Sequence, residues 1–540
     1  MFIVQKNLTL LRSYALTVFK NWKESLYLFS LGASLIALPT SVTLISCTSV
    51  ALLVVWFLTG DYKEKWHRLR CNKSALLLMS IPVLYLIGLC FTKNFSAGIQ
   101  EFNKSIYWFI FAFVLGSSKP ITNQNSCRLL SIYTITVSVA AGASLYKLLC
   151  LDSSHFFDFR SVSWIAHIPF SFQIAFTIWL VIYFIYTGKL STIQKTFLTL
   201  LVVFLIITLL SLKSINGYLY FGVMSFTALL MLIWSTKKRF IKIAYLCGIF
   251  LLLTIPACYV YHCVNEFYNT TEYKVDEIDR FTANGNPYKH NFDNKTKENG
   301  NYIFLFICEK ELIPLWNLHS TIPYESKTTN GFPLRSVIFR YMTSKGLRKD
   351  AEGFAQLTPK DIENIEKEIP NYIYAKSKLS IYPRIYESIW EIDQYRLSKD
   401  PNGKSFAQRI ELVTLAVDII KKNIWTGIGL GNSSQAYDEV ILESGSKLAP
   451  QKTGSSHNQY LNYLIRFGLF GTLYILGVLF FVFFKERKNN AFLITIIFTG
   501  MLAANFGDAN WETFIGLNFF AFFFCFLMWI TPKNCVSEKK

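Results

Sequence analysis

Charged side chains are scarce here: Asp, Glu, Lys and Arg make up 16% of the 540 residues, against roughly 25% in an average soluble domain. A water-soluble globule of this length needs more solvating groups than that. Acidic residues are the scarcer sign, 35 against 54 Lys+Arg. No two cysteines have the CxxC spacing of a metal knuckle, and the eleven present are scattered, most of them in apolar runs. That excludes a zinc module and a disulfide scaffold, although a bridge between Cys263 and Cys308, in or at the edge of the polar part of the chain, stays open. No internal repeat or long low-complexity tract is present, so solenoid, collagen-like and disordered classes are excluded as well.

What is abundant is apolar and aromatic. Hydrophobic residues make up 52% of the chain, with 48 Phe, 29 Tyr and 12 Trp, and the mean hydropathy is +0.32. A bilayer-spanning helix needs about 20 apolar residues, and by that measure about twelve spans are present. Two fill Ser25–Gly60, with Pro39 near their break. The others are Ser74–Thr92, Ile106–Ser117, Leu129–Leu149, Trp164–Tyr186, Thr196–Leu212, Ile215–Trp234, Phe240–His262, Asn458–Phe484, Ala491–Phe506 and Thr513–Ile530.

The net charge of +19 is unevenly placed. Between Asn265 and Ser456, 25 basic residues balance 25 acidic ones, so the excess is carried by the 29 basic and 10 acidic residues elsewhere. A nucleic-acid binder would concentrate such an excess on a soluble domain, so no nucleic-acid partner is expected. Here it sits in short linkers between apolar runs, as the positive-inside rule requires. With the N-terminus in the cytoplasm (Lys6, Arg12, Lys20, Lys23), cytoplasmic linkers hold Lys63 to Lys73, Lys119 and Arg128, Lys189 and Lys195, Lys237 to Lys242, and Lys485 to Lys488. The tail holds Lys533, Lys539 and Lys540, while opposite linkers hold mainly Lys93, Lys104, Arg160 and Lys213. Both termini are then cytoplasmic, and the N-terminal stretch, which has no small-residue cleavage site, is expected to be retained.

The fold class expected is an all-α polytopic membrane protein: nine transmembrane helices in 1–263, a large, mainly helical extracytoplasmic domain in 264–457, and three more helices with a cytoplasmic tail in 458–540. Within the domain, Thr358-Pro-Lys-Asp361 reads as a helix start with Pro at the first position, continuing through Glu368. Gln408–Lys422 has amphipathic spacing.

The end of this domain carries the informative residues. Arg409 opens a helix, and Gly427-Ile-Gly429-Leu-Gly431-Asn432 follows. Alternate glycines free the backbone for a tight turn or a close ligand approach, but the spacing is not the dinucleotide fingerprint GxGxxG. Then comes His457-Asn458-Gln-Tyr-Leu461, leading into Phe467-Gly468-Leu-Phe-Gly471 and a span. A histidine at that entrance suits proton transfer, or else caps the span.

These residues, Arg409, Thr426–Asn432, His457–Leu461 and Phe467–Gly471, resemble the O-antigen ligase/polymerase superfamily of bacterial envelopes. Arg340 to Arg348 also looks like its long-loop members. The resemblance implies a GT-C-like fold in the cytoplasmic (inner) membrane and a role in lipopolysaccharide biosynthesis. It implies transfer of a glycan from a polyprenyl diphosphate donor, such as undecaprenyl diphosphate, to lipid A–core or another glycan, with inversion and with no metal or other cofactor. Arg409 would meet the leaving diphosphate and His457 would be the general base, with Asn458, Gly427, Gly429 and Gly431 supporting. The family's earlier arginine is replaced by Ile215; Lys213, two residues before it, either supplies the charge or is a snorkelling span-end lysine. Arg340 and Arg348 are further diphosphate candidates or partners of the domain's own acids. Asp508 orients His457, binds sugar, or is a solvated linker acid. A ligase is the leading reading; a surface-polysaccharide polymerase, a protein O-oligosaccharyltransferase and, from a different class, a lipid-linked glycan flippase or transporter are the alternatives. Charge nearly absent within the spans, with the polar groups gathered at one outer face, favours an enzyme over the transporter.

Overall fold

The computed structural model describes residues 22–150, 161–270, 278–329, 331–376, 380–449, 454–487 and 490–532. Lys6, Arg12, Lys20, Arg160, Lys488, Lys533, Lys539 and Lys540 of the charge argument lie outside them.

Each of the long apolar runs expected to span is helical over most of its length, because in hydrocarbon a chain satisfies its backbone groups within its own segment. The helices are α1 (22–40), α2 (Val42–Leu58), α3 (Tyr62–Cys71), α4 (Lys73–Met79), α5 (Ile81–Leu89), α6 (Phe95–Ser117), α7 (Asn123–Cys150), α8 (His167–Thr187), α9 (Thr192–Ser211), α10 (Ile215–Ser235) and α11 (Arg239–Tyr268). After the polar interval come α20 (Gln459–Glu486), α21 (Ala491–Gly507) and α22 (Phe514–Cys525), which ends in one π-helical turn, Phe526–Ile530. Among the described residues six helices, α7 to α11 and α20, are by themselves long and apolar enough to cross a membrane. The pair α2 and α3 is bent by 116°, and α4–α5, α21 and α22 with its π turn are shorter apolar helices. Many faces of α9 and α11 stay uncovered by protein, with Ile193 83%, Phe197 67%, Phe240 82% and Phe250 65% exposed. Apolar surface of that extent marks a face that lipid covers. By contrast α22 is buried all round, as expected of a helix hydrophobic on every side.

The apolar run expected to start at Ile106 belongs to a longer helix. Asn94 caps α6 by accepting from the Ala97 amide at 3.1 Å, and the first turns carry Glu101 and Lys104. Those charges hide the helix from a hydropathy reading.

The polar interval holds α12 (Glu309–His319), α13 (Leu334–Ser344), α14 (Ala351–Ala355), α15 (Pro359–Glu366), α16 (Tyr372–Lys376), α17 (Tyr382–Ser398), α18 (Ser405–Lys422), α19 (Ser433–Ser444) and one small antiparallel pair, β1 (Lys297–Glu298) with β2 (Asn301–Tyr302). Thr358 and Asp361 form a reciprocal capping box at the start of α15; the helix stops at Glu366, two residues short of expectation. Helix α18 begins at Ser405, so Arg409 sits in its second turn and does not open it. The interval has separate apolar clusters. One gathers α12 to α15 around Trp316, Ile338 and Phe354. Another packs α18 and α19 on Ile465 of α20. A third joins Cys263 and Phe267 of α11 to Tyr386 and Ile389 of α17. Cys308 is buried in a different cluster, beside Tyr288 and Leu305, and both cysteines are free thiols. Lys349 is 2% exposed, its backbone bridging Ile307.

Candidate functional site

The turn from Ser455 to Asn458 is fixed from both sides. Ser456 donates through its amide (3.0 Å) and its hydroxyl (2.7 Å) to Asn462 Oδ1. Asn458 caps α20 by accepting from the amides of Tyr460 and Leu461. Its side-chain Nδ2 donates to the Phe506 carbonyl at 3.3 Å. These bonds force His457, between them, into the left-handed region at φ 54°, a conformation uncommon outside glycine and enriched at functional sites.

Held there, His457 Nδ1 lies 3.1 Å from Asp508 Oδ1. A carboxylate only accepts, so Nδ1 carries a proton, and in the neutral imidazole the lone pair is then on Nε2; the imidazole is 40% exposed. Asp508 is not a solvated linker acid: its side chain is 17% exposed and it also accepts from the Ala509 amide at 2.9 Å. Burial pushes its carboxyl pKa up, but the His457 bond, the charges of His457 and Arg409, and the Ala509 amide outweigh that and hold it below the usual carboxylate range.

Arg409 reaches the same place from α18. Its Nη1 donates to the Gly507 carbonyl at 3.3 Å, one residue before Asp508, leaving most of the five guanidinium N–H donors available. Gly507 is also approached by Asn216 of α10: a Cβ on Gly507 would lie 2.8 Å from Asn216 Oδ1. Asn216 is 6% exposed, and neither of its amide atoms has a hydrogen-bond partner among the described residues. Lys213 stands just before α10 at φ 50°. It is 7% exposed, so it is no span-end lysine with its head in water. Burial holds its ammonium below the usual lysine range, and the Glu387 carboxylate offsets part of the shift.

Arg409, His457, Asn458 and Asp508 thus converge, with Asn216 beside them. The other expected residues are placed elsewhere. Arg340 donates to the fully buried Glu298 at 2.7 Å and stacks 4.0 Å over Trp390. Arg348 donates to Asp279 at 2.6 Å and lies 4.5 Å from the Phe306 ring. Each is therefore engaged with the domain's own acids. Gly427, Gly429 and Gly431 make a close approach to backbone. Helix α20 breaks at Gly468, at φ 61° and ψ −166°, and the turn repairs the break. The amides of Ile428 and Gly429 donate to the carbonyls of Ile465 (2.8 Å) and Arg466 (3.0 Å), and Leu469 N donates to Ile424 O (2.7 Å). A Cβ on Gly427 would lie 2.5 Å from the Arg466 carbonyl, and one on Gly431 2.5 Å from Gly98 N.

Sequence reasoning missed a second buried group below His457. Arg466 is 5% exposed; its Nε lies 3.1 Å from Glu101, and it pairs with Glu512 through Nη1. Glu512 also accepts from Gln459 (3.1 Å) and Asn462 (3.0 Å). This is charge well inside α20, where little was expected, and Arg466 is paired there with two carboxylates, as a buried charge requires. Among the described residues no three His, Cys, Asp or Glu side chains converge as metal ligands.

The O-antigen ligase family model matches residues 370–476, a stretch that contains Arg409, the glycine turn, His457–Asn458 and the α20 break. That stretch is similar to the O-antigen ligase family, and the match supports the O-antigen ligase-like superfamily, whose members are membrane glycosyltransferase-like enzymes. No curated protein matches the chain.

Proposed function

We propose that the chain is an inverting, metal-independent glycosyltransferase of the O-antigen ligase type, moving a glycan from polyprenyl diphosphate to lipid A–core. It works at the outer face of the bacterial cytoplasmic membrane, with twelve spans, both termini in the cytoplasm and residues 264–457 outside. The observation that carries this reading is the His457–Asp508 pair set beside Arg409. The acceptor hydroxyl attacks the anomeric carbon, its proton passes to His457 Nε2, and the bond to the diphosphate oxygen breaks. Asp508 keeps Nδ1 protonated and stabilises the imidazolium that forms. Arg409 meets the charge on the departing diphosphate, where a planar fork of N–H groups suits paired oxygens, and Lys213 adds a second cation.

A transporter reading gains nothing from the broken helix. Discontinuous spans bind cargo when their freed backbone groups face a cavity; at Gly468 those groups are engaged by residues 424–429. The test is deletion of the gene followed by electrophoresis of envelope glycolipids. Loss of the long-chain ladder with core intact supports a ligase. Core bearing a single repeat means a polymerase, and an unchanged pattern sinks the lipid A–core acceptor in favour of protein or another glycan.

A further inference from the structure

A cleft of about 1110 Å³ opens in the polar interval between α17 and the segments around Asn291–Thr296, Phe332–Arg340 and Glu368–Tyr374. It does not include His457, Asp508 or Arg409. We propose that this cleft binds the saccharide portion of a substrate, an uncharged polyhydroxylated oligosaccharide, and so holds the glycan while its reducing end or its acceptor hydroxyl reaches His457. The inference rests on the transfer reaction above.

Four observations carry it. The volume is at the upper end of small-molecule sites, which run to roughly 1,000 Å³, so it suits several linked sugars better than one. Two donors that line it are buried without a partner among the described residues, Gln394 Nε2 on a side chain in a residue 8% exposed, and Trp390 Nε1. A buried donor left unmade costs about 1–3 kcal/mol, so a rotation of the Gln394 side chain that brings its donor to a ligand acceptor at the cleft wall is favoured. Acceptors are present too, in the carboxylates of Glu387 and Glu391, and a sugar hydroxyl is both donor and acceptor. The lining carries five acids against three cations, Lys295, Arg340 and Lys404, so its excess charge is negative and disfavours phosphate, which separates this cleft from the cationic diphosphate site. Finally, Phe332 lines the cleft while 63% exposed, with Tyr374 also in the lining, and an aromatic face among polar groups is a platform for the C–H face of a sugar.

The cleft also leads toward the reacting groups. Glu391 accepts from the Phe406 amide at 2.6 Å at the start of α18, and Arg409 follows on that helix. Glu387 acts electrostatically on Lys213. A glycan in the cleft is therefore held against α17, whose Glu391 accepts from the start of the helix that carries Arg409.

The test uses the full chain in nanodiscs and two soluble probes: the glycan released by mild acid from the cells' lipid-linked pool, and core oligosaccharide freed of lipid A. Binding is read by saturation-transfer NMR and calorimetry. Phe332→Ala and Gln394→Leu are each expected to weaken binding roughly tenfold and raise KM similarly, with kcat held within about twofold. His457→Gln should lose turnover and keep the glycan affinity. Binding of the donor glycan alone assigns the cleft to the donor, and binding of core alone assigns it to the acceptor. Failure of both probes to bind, or wild-type binding and KM in folded Phe332→Ala, overturns the proposal; this exposed position decides even where Gln394→Leu unfolds. Should His457→Gln retain full transfer, the base role given to His457 fails, while direct binding still judges the cleft.

Discussion

His457 Nδ1 and Asp508 Oδ1 meet at 3.1 Å although 51 residues separate them, because Asn458 ties the entrance of α20 to the end of α21 through the Phe506 carbonyl. The pair fixes one tautomer and points the basic nitrogen away from its partner. His457→Ala is accordingly expected to reduce transfer by about 10²–10⁴-fold without loss of folded protein. His457→Gln, which hydrogen-bonds but takes no proton, should be as poor as Ala if the imidazole is a base. Near-wild-type activity in the Gln variant would reduce His457 to orienting the hydroxyl. Asp508→Asn should lower kcat and leave the donor KM unchanged, measured with detergent-purified enzyme.

Arg409→Ala should abolish transfer at normal membrane levels, and Arg409→Lys should restore only part of it, since the paired N–H geometry is lost. Lys213→Ala tests the second cation: activity at the wild-type level there would remove Lys213 from the diphosphate site. Treatment with EDTA should leave the rate unchanged. Loss that a divalent ion restores would overturn the roles given to both cations.

Gly468→Ala should destabilise the whole chain. At φ 61° and ψ −166° the backbone is in a region open essentially only to glycine, so an alanine there costs about 1–3 kcal/mol, and the added Cβ would also collide with the Trp425 carbonyl. The expected outcome, read by fluorescence-detected gel filtration after heating, is a lower melting temperature with a parallel loss of activity. Gly477→Ala, where the Cβ meets nothing within 4 Å, is the control. An unchanged profile for Gly468→Ala would show that the turn does not brace the broken helix.

Lys349 makes stability depend on pH. Burial pushes its ammonium down to about 7, with Asp350 offsetting part of that, whereas an unfolded lysine titrates near about 10.4. Between those values the unfolded chain holds a proton that the folded chain has released, so stability rises with pH, by at most about 1.4 kcal/mol per unit. Thermal melts from pH 7 to 9 should show that rise, and Lys349→Met should flatten it and stabilise most at pH 7. A slope that persists in Lys349→Met would assign the dependence to other groups.

Local features were legible in the sequence because short-range chemistry determines them. The cap at Thr358, the amphipathic helix that carries Arg409, and the helical character of each apolar run follow from neighbouring residues. The glycines told of a close approach but not its object; only the fold supplies the carbonyls of Ile465 and Arg466. Asp508 had no local signal, since a lone acid after a span looks like a solvated linker group until another helix covers it. Glu101 and Arg466 were hidden for a related reason. Their charges satisfy each other across helices far apart in sequence, and hydropathy counts them only as interruptions. Asn216 was equally silent, because an amide inside an apolar stretch has no pattern that marks its lack of a partner.

The exchange of backbone bonds between residues 424–429 and the break at Gly468 has a consequence for how such enzymes can be recombined. The first half of α20, which has His457 at its entrance, shares its main-chain hydrogen bonding with a loop assigned by sequence to a different domain. A chimera spliced between that loop and α20 would sever the shared bonding and leave buried carbonyls and amides bare at the break. The smallest graftable cassette therefore runs unbroken from α18 through α20, and a new acceptor specificity introduced by swapping loops must carry its own transmembrane helix with it.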